Sequence, residues 1–286
     1  MKIALVEYNP IHPRPGVLDA YNEVVESYQW GFAALGYEVE RRVNSCNGNA
    51  LNIVFGAAIP VQLGLLTNFP PDTIIVNLER QSHRSLRGTM AEYVAANFQI
   101  WDYSLANMPA WNELNPRHPV YYARTAYAPC LEKVVRSAAQ DIDVLYYGGI
   151  ASMERLEAVR ELAALRRDAG LSGLSLMVLS NVYGPLRDEM IARAKVVINL
   201  STGSIFEIVR ASYLMANRKA VVSTYVEGNE IEEDMAGVVL RFKLQDLFSA
   251  CATLVEDHAA RAEYEVQCYE AIKRRDIRDV IKGFFD

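Results

Sequence analysis

The chain has 286 residues, 51% of them hydrophobic and 22% charged, with a formal net charge of −6. That length suits two globular domains of the usual ~100 to 200 residues, and the acidic balance provides no global attraction to nucleic acid or anionic lipid. The four cysteines (Cys46, Cys130, Cys251, Cys268) lie far apart without a CxxC pair, as reduced thiols do and disulfide frameworks or zinc sites do not. The apolar start Met1–Val6 is too short for a signal peptide, and no apolar run approaches the ~18 residues of a membrane span. A cytoplasmic protein is expected.

Lys2 to Tyr8 reads as a strand, ended by Asn9–Gly16, where three prolines and a glycine forbid regular structure. Leu18 to Leu35 has helical periodicity stopped by Gly36, and Tyr37 to Val43 alternates as a second strand. Further strands are expected over Leu51–Phe55, Thr73–Leu78, Phe98–Asp102 and Val120–Ala123, with helices over Ala57–Leu66, Met90–Asn97 and Ser104–Leu114. Leu131 to Ala139 reads as a polar helical connector, after which the alternation restarts. Asp143–Tyr147 is a strand ending in Gly148-Gly149, Met153–Ala169 an amphipathic helix, Leu174–Leu179 a strand, and Gly184–Arg193 a short helix with Pro185 at its start. Next come the buried strand Lys195–Leu200, the turn Ser201-Thr202-Gly203-Ser204, a helix from Ile205 to Met215 and the strand Ala220–Ser223. The chain from Leu244 onward is helical: Leu244–Glu256, Arg261–Ile277 and Val280–Phe285. The fold class is therefore α/β, two Rossmann-like halves followed by C-terminal helices, with domains spanning 1–138 and 139–286.

One βαβ unit, Ile191 to Thr224, carries the strongest chemical signal. Its Ser201–Ser204 turn leaves a strand and opens a helix, so small side chains, hydroxyls and free N–H groups stand at the carboxyl edge of a parallel sheet. That edge binds anions. Serine and threonine also cap ordinary helices, the bland alternative for this turn. Glu207 and Arg210 are expected in the first turn and a half of the same helix. As a structural carboxylate, Glu207 would merely complement the helix dipole. Arg210 would meet a diphosphate as a charge-assisted fork or simply pair with Glu207.

At Val144–Gly148, Val182–Asp188, Ala192–Leu200 and Ile205–Arg210 the chain resembles bacterial glycosyltransferases of the GT-B architecture, in which two Rossmann-like domains face a cleft. The resemblance extends to Ile53–Gly56 and Asp72–Glu79 and is strongest over residues 141–223. It implies a nucleoside-diphosphate sugar bound by the C-terminal domain, an acceptor bound by the N-terminal domain, and transfer of the sugar to a hydroxyl or amine. It also implies no metal and no cofactor beyond the nucleotide sugar.

On this resemblance Glu207 is placed to accept hydrogen bonds from the ribose diol. Gly148 and Gly149 let backbone approach a donor phosphate, with Arg155 nearby to neutralise charge, although glycine after a strand is often only a turn. Tyr183 and Gly184 would flank the nucleobase, or Tyr183 simply packs. His12, in the proline loop after the first strand, and Glu79, at another strand end, are rival bases for the acceptor's proton. Either is equally an ordinary loop residue. Asp141-Ile-Asp143 matches the DxD of metal-dependent transferases but precedes its strand, at the wrong edge of the sheet. The remaining histidines His83, His118 and His258 are not spaced as a metal site. The expected partners are a nucleotide sugar and a small-molecule or glycan acceptor, with no nucleic acid and no membrane span. Two alternatives stay open: a nucleotide-sugar epimerase or hydrolase on the same scaffold, and a catalytically degenerate transferase acting as a binding subunit.

Overall fold

The computed structural model describes residues 1–8, 19–57, 61, 64–79, 89–150, 153–168, 170–201, 205–228 and 231–285. It divides into two compact units, Met1–Cys130 with Asp276–Asp286, and Leu131–Arg275.

The first unit runs through β1 (Lys2–Glu7), α1 (Asn22–Ala34), β2 (Glu38–Val43), β3 (Leu51–Phe55), β4 (Ile74–Asn77), α2 (Thr89–Asn97), β5 (Gln99–Asp102), α3 (Met108–Glu113) and β6 (Val120–Tyr122). The second runs through β7 (Ile142–Tyr147), α4 (Met153–Asp168), β8 (Leu176–Leu179), α5 (Gly184–Arg193), β9 (Ala194–Asn199), α6 (Ile208–Ala216), β10 (Ala220–Thr224), α7 (Glu233–Ala236), β11 (Leu240–Phe242), α8 (Leu244–Glu256) and α9 (His258–Lys273). The closing helix α10 (Ile277–Phe285) belongs to the first unit, although its sequence follows the second.

Both sheets are parallel, in the orders β2-β1-β3-β4-β5-β6 and β11-β10-β9-β7-β8. The continuous apolar character of β1, β3, β7, β9 and β10 follows from that arrangement, because a parallel sheet is covered on both faces. Ile198 of β9 is level with Val222 of β10 and Tyr146 of β7, and all three are buried. In each sheet the first strand sits between the second and the third, so the chain direction reverses beside it. In the second sheet this reversal lies between β7 and β9, the point at which doubly wound sheets open a crevice at their carboxyl ends.

Several expectations are corrected. Residues 132–139 form no helix. The side chain of Asn217 claims this segment instead: its Oδ1 accepts from Lys133 N and Val134 N, both at 2.8 Å, and its Nδ2 donates to Leu131 O at 2.9 Å. The helix expected from Ile205 begins at Ile208, so Glu207 is its N-cap residue rather than a first-turn residue. Ile205 and Phe206 are buried before the helix starts. The short α7 and β11 carry too weak a periodicity to read in sequence; β11 extends the sheet by pairing with β10. The second domain, expected over 139–286, gives up its last helix to the first unit because Ile277 and Ile281 lie one turn apart and pack on Gly31 of α1. A Cβ at Gly31 would meet Ile281 Cδ1 at 2.7 Å and Ile277 Cγ2 at 2.9 Å, so any larger residue there would force these side chains to shift.

Lys219 is 1% exposed at the start of β10, and its ammonium donates to Ala194 O at 2.8 Å. Burial, reinforced by Arg136 and Arg261, pulls its pKa down to about 7. A lysine depressed on folding binds fewer protons folded than unfolded, so stability should climb as pH rises above about 7 toward the ordinary lysine range. In thermal unfolding followed across this window, Lys219→Met should be more stable than wild type at pH 7 by about 1 to 3 kcal/mol and should lose the alkaline gain.

Candidate functional site

The carboxyl edge of the second sheet gathers most of the expected donor residues. Gly148 and Gly149 follow β7, Tyr183 is the N-cap of α5 with Gly184 as its first residue, and Ser201 follows β9. Thr202, Gly203 and Ser204 lie outside the described residues, as does His12.

Ser201 is 2% exposed and fully engaged. Its N–H donates to Thr224 Oγ1 at 2.8 Å, its carbonyl accepts from the same hydroxyl at 2.9 Å, and its Oγ accepts from Glu207 N at 3.0 Å. The serine therefore fixes the entry to α6 with its side chain. Glu207, held there, accepts from the guanidinium of Arg155 on α4. Burial acts to lower the Arg155 pKa, but the facing Glu207 carboxylate outweighs it and the net direction is upward. The pairing of Glu207 with Arg210 considered from the sequence is not made; Arg155, expected only beside a phosphate, pairs with Glu207 instead.

Arg210 is held by neutral groups. Its Nη1 donates to Asn199 Oδ1 at 3.1 Å and more weakly to Leu200 O at 3.5 Å. Its guanidinium carbon stands 5.6 Å from the Tyr146 ring centroid and 5.7 Å from that of Tyr147, within the range of a cation–π contact. Among the described residues no carboxylate pairs with it. Gly148 makes this placement possible: a Cβ there would lie 2.8 Å from Arg210 Nη2 and 3.1 Å from the Tyr146 hydroxyl, and its φ of +151° also disfavours any side chain.

A third arginine was not anticipated. Arg187, in the first turn of α5, is 4% exposed, with its guanidinium carbon 4.5 Å from the Tyr213 centroid and 5.8 Å from that of Tyr147. Asp188 Oδ1 accepts from its Nε at 3.0 Å and Nη2 at 2.8 Å. Three helices that follow β7, β8 and β9 thus each carry an arginine in the first turn: Arg155, Arg187 and Arg210. Cations there oppose the helix dipole. The sequence held that signal in Gly-Pro-Leu-Arg at the start of α5, where an acidic residue would be the ordinary choice. An edge with this much positive potential, built from helix N-termini and guanidinium groups, is suited to a multiply charged anion.

The DxD pair stands at the other end of the strands. Asp141 accepts from Arg193 Nε and Nη2 at 2.8 and 2.6 Å, and Asp143 from Lys195 Nζ at 2.6 Å. Both carboxylates serve ion pairs. Among the described residues no group of three His, Cys, Asp or Glu side chains is placed to hold a metal ion.

In the first unit Glu79 follows β4, exposed, with its carboxylate accepting from the Tyr21 hydroxyl. Its backbone carbonyl accepts from Asn77 Nδ2 at 2.8 Å and Asn107 Nδ2 at 3.0 Å. Both amides also donate to the buried Asp102, at 2.7 Å from Asn77 and 3.0 Å from Asn107, alongside Trp111 Nε1 at 2.6 Å and Ser104 N at 2.8 Å. Burial pushes the Asp102 carboxyl up to about 6 against these donors. Sequence reasoning missed Asp102, whose place at the end of β5 was its only signal.

The two parallel Rossmann-like units define the GT-B fold, and comparison with solved structures agrees. An α-glucosyltransferase in complex with UDP superposes with a TM-score of 0.65 at 12% identity, over 100% of this chain and 99% of that one. HepE of Anabaena in complex with UDP-glucose gives 0.59 at 15% identity, over 100% and 99%. The sucrose-phosphate synthase of Thermosynechococcus elongatus gives 0.60 at 11% identity, over 99% and 98%. No protein-family model and no curated protein sequence matches the chain.

The Gly148–Arg210 contact is open to a double-mutant cycle. Gly148→Ala alone should destabilise by about 1 to 3 kcal/mol. Combined with Arg210→Ala, which removes the atom that a new Cβ would strike, the loss should fall short of additivity by about 1 kcal/mol in denaturant unfolding.

Proposed function

We propose that the chain is a glycosyltransferase that binds a nucleoside-diphosphate sugar at the carboxyl edge of the second sheet and transfers the sugar to a hydroxyl or amine acceptor bound by the first unit, without a metal ion. The observation that carries this reading is the trio of first-turn arginines, above all Arg210, which no described carboxylate neutralises. In this reading the acceptor oxygen or nitrogen attacks the anomeric carbon, and the bond from that carbon to the distal phosphate oxygen breaks. The departing electron pair rests on the diphosphate. Arg210 and the N-terminal dipole of α6 stabilise the charge that develops there, as fixed dipoles and cations do most effectively when already oriented. Glu207, aligned by Arg155, retains lone pairs to accept from the two ribose hydroxyls. Gly148 and Gly149 bring backbone close to the phosphates, and Tyr183 with Gly184 borders the base. His12 or Glu79 takes the acceptor's proton.

The solved neighbours include complexes with UDP and UDP-glucose, which makes uracil the first nucleobase to test. Calorimetry with UDP, GDP, dTDP and ADP should show binding to at least one. Glu207→Ala and Arg210→Ala should each weaken it by roughly 10- to 100-fold with little change in Tm. Absence of binding to every nucleotide would favour a binding subunit over an enzyme. Conversion of a nucleotide sugar in the absence of any acceptor would instead favour an epimerase or hydrolase.

The proton acceptor is tested separately. If His12 or Glu79 is the base, His12→Ala or Glu79→Gln should lower kcat by about 10²- to 10⁴-fold without weakening nucleotide binding, and the product should have inverted configuration. Unchanged turnover in the double variant would rule both out.

A further inference from the structure

At the carboxyl edge of the first unit an acidic group is sealed from water and surrounded by donors alone. Asp102 is 0% exposed at the end of β5. Its Oδ1 accepts from Ser104 N at 2.8 Å and Asn107 Nδ2 at 3.0 Å, and its Oδ2 accepts from Trp111 Nε1 at 2.6 Å and Asn77 Nδ2 at 2.7 Å. An ionised carboxylate can only accept, so it dictates that both amides turn their nitrogen inward. The consequence falls on Glu79. Asn77 pairs with both backbone groups of that residue, its Nδ2 donating to Glu79 O at 2.8 Å and its Oδ1 accepting from Glu79 N at 3.3 Å. Asn107 Nδ2 donates to the same carbonyl at 3.0 Å.

A proton on Asp102 reverses the requirement, because a carboxylic acid must donate as well as accept. The indole N–H of Trp111 and the backbone N–H of Ser104 cannot receive that bond. The amides can, by turning over. If Asn77 turns, its oxygen faces the acid proton and its nitrogen faces Glu79 N, so both of its bonds to Glu79 are lost. If Asn107 turns, Glu79 O loses that donor. Either rearrangement loosens the Glu79 peptide, since leaving the new donor buried and unmet is the costlier choice.

We propose that Asp102 is a proton-operated latch on Glu79: ionised, it clamps the Glu79 peptide through Asn77 and Asn107, and protonated, it lets go. Burial pushes this carboxyl up to about 6 against its four donor groups, which places the change within the range of ordinary cellular pH. Level with Asp102 across the sheet are Asn77 of β4 and Tyr122 of β6. The charged side chains on the elements around it are Glu92 of α2, Glu113 of α3, Arg124 after β6 and Glu79 itself, whose carboxylate turns to Tyr21. Among the described residues none of these side chains is hydrogen-bonded to Asp102 or forms an ion pair with it. Where Glu79 serves as the acceptor's base, the latch also sets its position. The proposal itself needs no such role and its test needs neither nucleotide nor acceptor, so it stands or falls apart from the glycosyltransferase reading.

The test follows two groups of the full chain by NMR as pH is lowered from about 8 to about 4.5, a range that spans the ordinary and raised carboxyl values. ¹⁵N-tryptophan labelling gives three indole signals, from Trp30, Trp101 and Trp111. The Trp111 signal should titrate with a midpoint near 6, and Trp30, which lies beside Arg278, should not follow it. Exchange of the Glu79 backbone N–H, corrected for the intrinsic effect of pH, should quicken at least about fivefold through the same midpoint. Asp102→Asn imitates the protonated acid, so its Trp111 signal should not titrate and its Glu79 N–H should exchange fast even at the upper limit. In Asn77→Ala, a half-buried position, Trp111 should still titrate while Glu79 exchange is fast at every pH. His118→Ala should behave as wild type, because His118 stands by the amino ends of the strands. The proposal is overturned if the Trp111 signal does not move, if it moves equally in Asp102→Asn, or if Glu79 exchange in the wild type ignores the titration. Should Asp102→Asn fail to fold, the contrast between wild type and Asn77→Ala decides.

Discussion

The second unit depends on one electrostatic constraint: arginines occupy the first turns of helices, where the dipole already supplies positive potential. Such an arrangement is tolerable only if each charge is answered locally. Glu207 answers Arg155, Asp188 answers Arg187, and Arg210 has only the Asn199 amide, a carbonyl and two tyrosine rings. The gradation is informative. Two of the guanidiniums are each held by a carboxylate, and the third stands without one among the described residues.

Topology explains why these groups meet at all. The order β10-β9-β7-β8 puts β7 and β9 side by side although β8 and α5 intervene in sequence. Gly148, at the end of β7, can therefore touch Arg210, which follows β9, across about sixty residues of chain. The missing Cβ at Gly148, the φ of +151° and the tyrosines before it are one device for seating a single guanidinium. The first unit uses a different device at its own carboxyl edge. There a buried carboxylate, Asp102, organises two asparagines that also grip the backbone of Glu79, so a polar hub rather than sterics shapes the loop.

Much of this was legible in the sequence because its signals are local. Alternating apolar runs and helical periodicity marked nearly every strand and the long helices, and strand–turn–helix punctuation located Gly148, Ser201 and the neighbourhood of Glu207. Failures had nonlocal causes. Residues 132–139 have helical composition but are captured by Asn217, more than eighty positions away. Glu207 was seen as a candidate ligand, yet its partner Arg155 belongs to another helix, and the competing choice of Arg210 was the nearer one along the chain.

The amino-acid sequence by itself determined the α/β class, the duplication into two Rossmann-like halves and which turns carry phosphate-compatible residues, since side-chain size, β-branching and turn chemistry act over a few neighbouring residues. Tertiary structure alone decided that α10 returns to the first unit and that Arg187 joins Arg155 and Arg210. Those are matters of which surfaces bury one another. Burial is settled by the whole fold, because the same amphipathic pattern is satisfied by any partner with a complementary face.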